Sequence, residues 1–149
     1  MATKLNIKRL HPDAQIPFKT FDDDFCYDCV AVSEKEVHLG VWQYGLGIAI
    51  QTASEYDGSS LRGVTLRSRS SIYKTGMIMA NGPATIDIDE YTGEIMATFY
   101  HVVPSLPRYK VGDKVCQIHH DRTEVIEFCE VSELRPTKRG TGGHGSTDK

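Results

Sequence analysis

Apolar residues along this chain come in short bursts, and several of those bursts alternate with polar positions. Val37-His38-Leu39-Gly40-Val41-Trp42, Leu46–Ile50, Val64–Ser68, Gly76–Ala80 and Ala84–Ile88 are the first five. Glu94–Val103, Lys114–Ile118 and Val125–Val131 follow. These runs are rich in β-branched and aromatic residues, and period-two alternation puts one side of each on a core and the other outward. Gly, Pro, Asp and Asn interrupt them at intervals of roughly ten residues, the rhythm of a sandwich or barrel. No segment keeps a 3.6-residue apolar period over three turns. The pattern predicts an all-β domain over residues 1–136, with at most a short helix over Ser68–Lys74. Residues 137–149 have no apolar rhythm and are expected to form a flexible, glycine-rich arm.

At 149 residues the chain is one domain with room for a single core. Hydrophobic residues make up 40% and charged residues 25%, the balance of a water-soluble fold. A net charge of −3 gives no electrostatic reason to expect nucleic-acid or membrane partners. No apolar run approaches a membrane span, and Met1–Asn6 lacks the apolar core of a signal peptide. A cytoplasmic location is the expectation. Of the four cysteines, Cys26 and Cys29 form a C-x-x-C, but no second such pair exists to complete a zinc ribbon. His119 and His120 are adjacent and would point to opposite faces of a strand. Reduced, buried thiols are therefore expected rather than a structural metal.

Several polar groups stand where a fold alone does not need them. Arg69-Ser70-Ser71 puts a planar cationic fork beside two hydroxyls at a strand end, a set suited to an anion or to a polar turn. Asn81-Gly82-Pro83 reads as a turn whose return strand carries Asp87 between Ile86 and Ile88. A carboxylate there is either a general base for water or an outward-facing edge residue. Asp89 and Glu90 read as solvated turn charges. Gln117 is polar between apolar neighbours. Asp22, Asp23, Asp24 and Asp28 crowd one segment but lack the spacing of a calcium loop.

The C-terminal run Arg139-Gly140-Thr141-Gly142-Gly143-His144-Gly145-Ser146-Thr147 is the most distinctive segment. Glycine allows close backbone approach to a ligand, and successive N–H groups form an anion-binding nest. Ser146 and Thr147 add hydroxyl donors, and Arg139 adds a phosphate-matched fork. An arm closing on a polyphosphate and a plain flexible tail both fit this composition.

Taken in order, these segments resemble the five motifs of the trimeric dUTPase family. Asp24–Cys29 is similar to the first, Arg69-Ser70-Ser71 to the second, and Asn81–Gly93 followed by Glu94-Ile95 to the third. Gly112–Ile118 resembles the fourth and Arg139–Thr147 the fifth. Tyr44–Ile50 resembles the family's strand between the first two motifs. The likeness spans nearly the whole chain. It implies a distorted jelly-roll and a homotrimer with active sites at subunit interfaces, hydrolysing dUTP to dUMP and pyrophosphate with Mg²⁺. By that resemblance Asp87 activates the water that attacks the α-phosphorus. Asn81, Thr85, Ile86, Tyr91 and Met96 would serve substrate binding, with uracil held by hairpin backbone groups and the aromatic ring packed on the deoxyribose. Arg69, Ser70, Ser71 and Gln117 would hold the phosphates. Arg139, Gly143, His144, Gly145, Ser146 and Thr147 would close over them. The Mg²⁺ would sit on the triphosphate and water, with Asp28 in its outer shell.

The chain departs from the family pattern at three places. Asp87 and Tyr91 are four residues apart where the family has three, so either the hairpin carries an extra residue or Asp89 is the base; the Asn81-to-Ile86 lead-in favours Asp87. His144 replaces the usual Phe, and an imidazole can still stack on a base. Cys26 and Cys29 replace the usual Gly and Leu. Two rival readings are a dCTP deaminase of the same fold and a dUTPase-like regulatory binding protein.

Overall fold

A computed structural model of the chain describes residues 2–145. Within them the alternating runs become ten strands: β1 Leu5–Arg9, β2 Tyr27–Val30, β3 Ser33–His38, β4 Val41–Gly45, β5 Ile48–Thr52, β6 Ser60–Arg67, β7 Met77–Met79, β8 Ala84–Ile86, β9 Met96–His101 and β10 Lys114–Glu124. A 3-10 helix over Ser70–Thr75 stands where the short helix was expected. The strands form one two-stranded sheet, β1-β5, and two four-stranded sheets, β2-β10-β6-β8 and β3-β4-β9-β7. All pairings are antiparallel. The alternation accounts for the all-β class, and the antiparallel sheets agree with the jelly-roll that the family resemblance implied.

Inward positions of the three sheets meet in one core. Tyr44, Leu46, Ile48, Val64, Leu66, Phe99 and Val115 are all buried there. Tyr44 and Phe99 pack edge-on with centroids 5.8 Å apart, and the Tyr44 hydroxyl donates to the Tyr109 carbonyl at 2.8 Å. That bond satisfies the one polar atom the ring brings into the core.

Three sequence expectations change. The run Val37–Trp42 is not one strand: Leu39 and Gly40 turn the chain between β3 and β4. Gly40 has φ +74°, a left-handed conformation that glycine adopts without a Cβ clash, and its N–H donates to the Glu36 carboxylate at 2.9 Å. Val125–Val131 is not a strand, because β10 ends at Glu124 and residues 125–136 find no ladder partner among the described residues. Phe128 and Leu134 are 90% and 87% exposed there. Finally, Cys29 and Cys116 are buried as expected, but Cys129 lies exposed on this same segment.

Candidate active site

Strand register builds the site. Gln117 on β10 lies opposite Asp28 on β2 and opposite Arg67 on β6. Neighbouring strands are about 4.8 Å apart, so one row across three strands carries a carboxylate, an amide and a guanidinium. The adjacent positions, Tyr27, Ile118 and Leu66, form the next row, and of these Ile118 and Leu66 are buried in the core. A one-residue step along the strand therefore separates core from site, which is why Gln117 stands between apolar neighbours.

This row floors an open depression of about 810 Å³ lined by Phe21, Asp24, Cys26, Asp28, Arg67, Arg69, Ser70 and Gln117, among others. The chain leaves β6 here and enters the 3-10 helix, carrying Arg69 and Ser70 to the rim, while Ser71 does not line the depression. Arg69 Nε donates to Asp28 Oδ1 at 3.0 Å, and Lys114 Nζ donates to Asp28 Oδ2 at 3.0 Å. One carboxylate thus holds two cations at the mouth of the depression. Arg69 Nη1 also lies 3.4 Å from Ser71 Oγ, and Gln117 Nε2 donates to the Ser68 carbonyl at 2.9 Å. A smaller depression of about 460 Å³ shares Arg67 and Gln117 and is lined by Ser68, Ile78, Met79, Gly82 and Pro83. Arg67 forms the seam between the two. The motif comparison did not single it out, although its period-two spacing from Arg69 was visible.

The third-motif segment lies elsewhere. β8 pairs with β6 so that Ala84 faces Leu66 and Ile86 faces Val64. Asp87 therefore continues toward Gly63, away from Arg69, and the four strand steps from Gly63 to Arg67, at ~3.3 Å each, set it about 13 Å along β6 from the end that leads into Arg69. Asp87 is exposed just beyond β8, and its carboxylate has no hydrogen-bond or ion-pair partner among the described residues. Its carbonyl accepts from the Tyr91 N–H at 2.8 Å, closing a single turn over residues 87–91. That turn spans the four-residue step from Asp87 to Tyr91. Ile88 is fully buried, and Asp89 is tied down on the far side of it. Thr52 Oγ1 donates to Asp89 at 2.7 Å and Arg62 Nη2 does so at 2.7 Å. The Thr52 hydroxyl, helped by Arg62, holds the Asp89 carboxyl below the ordinary Asp range. Asp87 and Asp89 are thus unlike: one unengaged, one bound.

Tyr91 is half-exposed and its hydroxyl donates to the Glu94 carbonyl at 2.8 Å. A Cβ on Gly93 would lie 2.5 Å from that hydroxyl oxygen, so a larger residue there would displace the Tyr91 ring. Asn81 and Thr85 are exposed, and Ile86 and Met96 are half-buried. Neither they nor Asp87 line the larger depression. The described part of the arm also stays apart. Arg139 Nε donates to the Gly142 carbonyl at 2.6 Å, and His144 has φ +52°. Gly143 and Gly145 follow the same path, with Gly143 half-buried, and residues 137–145 line neither depression. Ser146 and Thr147 lie outside the described residues.

Among the described residues no three His, Cys, Asp or Glu side chains cluster to hold a metal, and no helix is long and apolar enough to cross a membrane. Comparison with known proteins decides the family. The chain is 31% identical over 148 residues to the deoxyuridine 5'-triphosphate nucleotidohydrolase of Helicobacter pylori, covering 97% of this chain and 96% of that one. It is 32% identical over 148 residues to the enzyme of the same name from Wolinella succinogenes, covering 98% and 95%. The chain belongs to the dUTP nucleotidohydrolase family. A third dUTP nucleotidohydrolase, from Zymomonas mobilis, is 32% identical over 151 residues and is covered over 99% of both chains. No family model matches the chain. Among solved structures, the Staphylococcus bacteriophage 80alpha dUTPase with dUPNHPP has the same fold, with a TM-score of 0.76 at 18% identity over 97% of this chain and 98% of that one. A mutant dUTPase from phage phi11 of S. aureus, whose structure concerns the coordination of a structural Mg(II) ion, gives a TM-score of 0.65 at 17% identity, covering 89% and 99%. The dUTPase fold and five motifs in order thus coincide in one chain.

Proposed function

We propose that this chain hydrolyses dUTP to dUMP and pyrophosphate, using Asp87 to activate water and the Arg69–Gln117 depression to hold the phosphates. The observation that carries the reading is the contrast between the engaged Asp89 and the unengaged Asp87. A general base must offer a free lone pair to a water proton. In the proposed step, the water oxygen attacks the α-phosphorus while its proton passes to an Asp87 carboxylate oxygen. The bond from the α-phosphorus to the α,β-bridging oxygen breaks, and its electron pair leaves with pyrophosphate. Little covalent help is needed from the protein, because positioning and charge neutralisation dominate displacement at phosphorus. Arg69, the Ser70 and Ser71 hydroxyls and Gln117 are the donors for the phosphate oxygens.

The placing of Asp87 beside Gly63, about 13 Å along β6 from the end that carries the chain to Arg69, supports an assembly in which one copy supplies the base and another the phosphate donors. We read this as a homotrimer with shared sites. The exposed apolar residues of 125–136, including Phe128 and Leu134, support it, since a second copy would cover them. Tyr91 would pack on the deoxyribose, with Asn81, Thr85, Ile86 and Met96 around the nucleoside. The arm, through Arg139, Gly143, His144, Gly145, Ser146 and Thr147, would close over the substrate.

Mg²⁺ fits this site only as a passenger on the substrate. Both Asp28 oxygens already face cations, Arg69 and Lys114, and among the described residues no other carboxylate joins it in a cage. Asp28 would meet the ion through water, while triphosphate oxygens supply the direct ligands. Bound there, Mg²⁺ would neutralise phosphate charge. A cytoplasmic setting is supported by Cys29 and Cys116, cross-strand neighbours that remain free thiols.

Pyrophosphate release from dUTP, dCTP, dTTP and UTP, with and without Mg²⁺, tests the proposal. Fast, Mg²⁺-dependent release from dUTP alone is expected. Ammonia release from dCTP would instead favour the deaminase reading, and tight dUTP binding without turnover would favour the regulatory one.

A further inference from the structure

Beside the phosphate donors lies a polar relay that the proposed reaction does not use. His119 is buried on β10, one alternation beyond Gln117 and opposite Thr65 on β6. Arg67 Nε donates to His119 Nδ1 at 3.3 Å. Because a guanidinium can only donate, Nδ1 is an acceptor and the ring proton sits on Nε2. That proton goes to Asp121 Oδ1 at 2.8 Å. Thr65 Oγ1 donates to the other Asp121 oxygen. The Thr65 hydroxyl, aided by the His119 hydrogen bond and the Arg67 charge, keeps the Asp121 carboxyl below its ordinary range and so ionised. Asp121 therefore accepts from Thr65 on one side and from His119 on the other, and His119 in turn accepts from Arg67.

Two further groups close the cluster. The Phe25 ring lies 5.1 Å from the His119 ring, and Cys26 Sγ is 3.9 Å from Nδ1. Burial raises the Cys26 thiol above its ordinary range, so no thiolate competes for the Arg67 charge. His119 is thus fixed on both ring nitrogens and across one face. Arg67 itself is exposed, and its Nη1 and Nη2 have no acceptor among the described residues. It lines both depressions, at their seam. A guanidinium anchored through Nε by a buried relay, with both terminal nitrogens turned loose beside Arg69 and Gln117, is pre-organised for a planar anion such as a phosphate face.

We propose that Arg67 is an additional polyphosphate-binding residue of this chain and that His119, held by Asp121, is its positioning residue. The inference rests on the dUTP hydrolase reading for the identity of the substrate, but the ligand chemistry it needs is only a di- or triphosphate. Both strands contribute, so the subsite is built by β6 and β10 and not by a loop.

The test measures kcat and KM for dUTP, and calorimetric affinity for inorganic pyrophosphate, on the full chain. Arg67→Ala should raise KM and weaken pyrophosphate binding by about tenfold each, the scale of losing hydrogen bonds to a charged group, with kcat changed little. Arg67→Lys should recover only part, because an ammonium cannot reproduce the fork. His119→Leu should weaken the same two quantities by a smaller factor, and His119→Asn, which keeps an acceptor near Nδ1, should recover most of that loss. The Arg67→Ala/His119→Leu double variant should be no worse than Arg67→Ala alone, since the histidine acts through the arginine. Wild-type KM and pyrophosphate affinity in Arg67→Ala would overturn the subsite, and multiplicative losses in the double variant would overturn the positioning role. Absence of dUTP turnover by the wild type would sink the hydrolase reading by itself. Pyrophosphate affinity would then still decide Arg67, its loss supporting the subsite and its persistence overturning it.

Discussion

The two ends of strand β6 are built on opposite plans. Around its C-terminal end the polar side chains hold one another: Asp28 holds Arg69 and Lys114, Gln117 holds the Ser68 carbonyl, and His119 holds Arg67. Past its N-terminal half, beside Gly63, Asp87 stands exposed with no side-chain partner among the described residues. The first arrangement suits binding, because donors fixed in advance lose little freedom when an anion arrives. The second suits proton transfer, because a carboxylate already engaged with a cation is a poor base. The same contrast recurs within two residues, between Asp87 and the anchored Asp89. On the proposed reading, separate ends also mean that neither is complete without a second copy of the chain.

The sharpest way to break this comparison is to exchange the two carboxylates. Asp87→Asn should lower the rate of pyrophosphate release by about 10²–10⁴-fold while leaving affinity for a non-hydrolysable dUTP analogue nearly unchanged. Asp89→Asn should keep most turnover and lower the melting temperature, since it loosens the Thr52 and Arg62 contacts. The reverse outcome would move the base to Asp89.

Truncation before Arg139 asks whether a third region belongs to the contrast. The described arm residues make local contacts only, so melting should be unaffected while most turnover disappears. A lowered melting temperature, or loss of the assembly on sizing, would make the arm a structural element.

Mixing two inactive variants tests the division between copies. Asp87→Asn and Arg69→Ala, unfolded and refolded together in equal amounts, should regain turnover at about a quarter of the sites if each site draws on two different subunits. No recovery would return both residues to one chain's site.

The smallest effect expected is on stability in acid. Asp89 and Asp121 both have their carboxyl pKa values lowered in the folded chain, by the Thr52 and Thr65 hydroxyls first. Their contribution is then complete above the ordinary Asp value and is lost as pH falls through the depressed one, below about pH 4. Thermal melts should be flat from neutral pH down to that limit and fall beneath it. Asp121→Asn and Asp89→Asn should each flatten the acid limb.

Much of the architecture was legible in the linear pattern. Alternation located β6, β7, β8, β9 and the start of β10, and the strand-end position of Arg69-Ser70-Ser71 was readable from the apolar run before it. Other features were hidden for physical reasons. β2 is only four residues long, too short for period-two hydropathy to give a signal, and β3, whose single aliphatic residue is Val37, is recognised by its ladder to β4. Val125–Val131 has the composition of a strand, yet a strand needs a partner and the described residues offer none.

Taken alone, the amino-acid order determined the all-β class, the glycine-rich composition of the C-terminal run, and the residue types available for phosphate binding and base catalysis. It did so because side-chain alternation and glycine content are properties of neighbours along the chain. Only the tertiary structure decided which of Asp87 and Asp89 is engaged, because Arg62 and Thr52 reach Asp89 from distant strands. It alone brought Asp28, Gln117 and Arg67 into one row, since residues 28, 67 and 117 meet only through the register of β2, β10 and β6. It also joined Arg67 to Asp121 through His119, a link between two strands that no reading along either one contains.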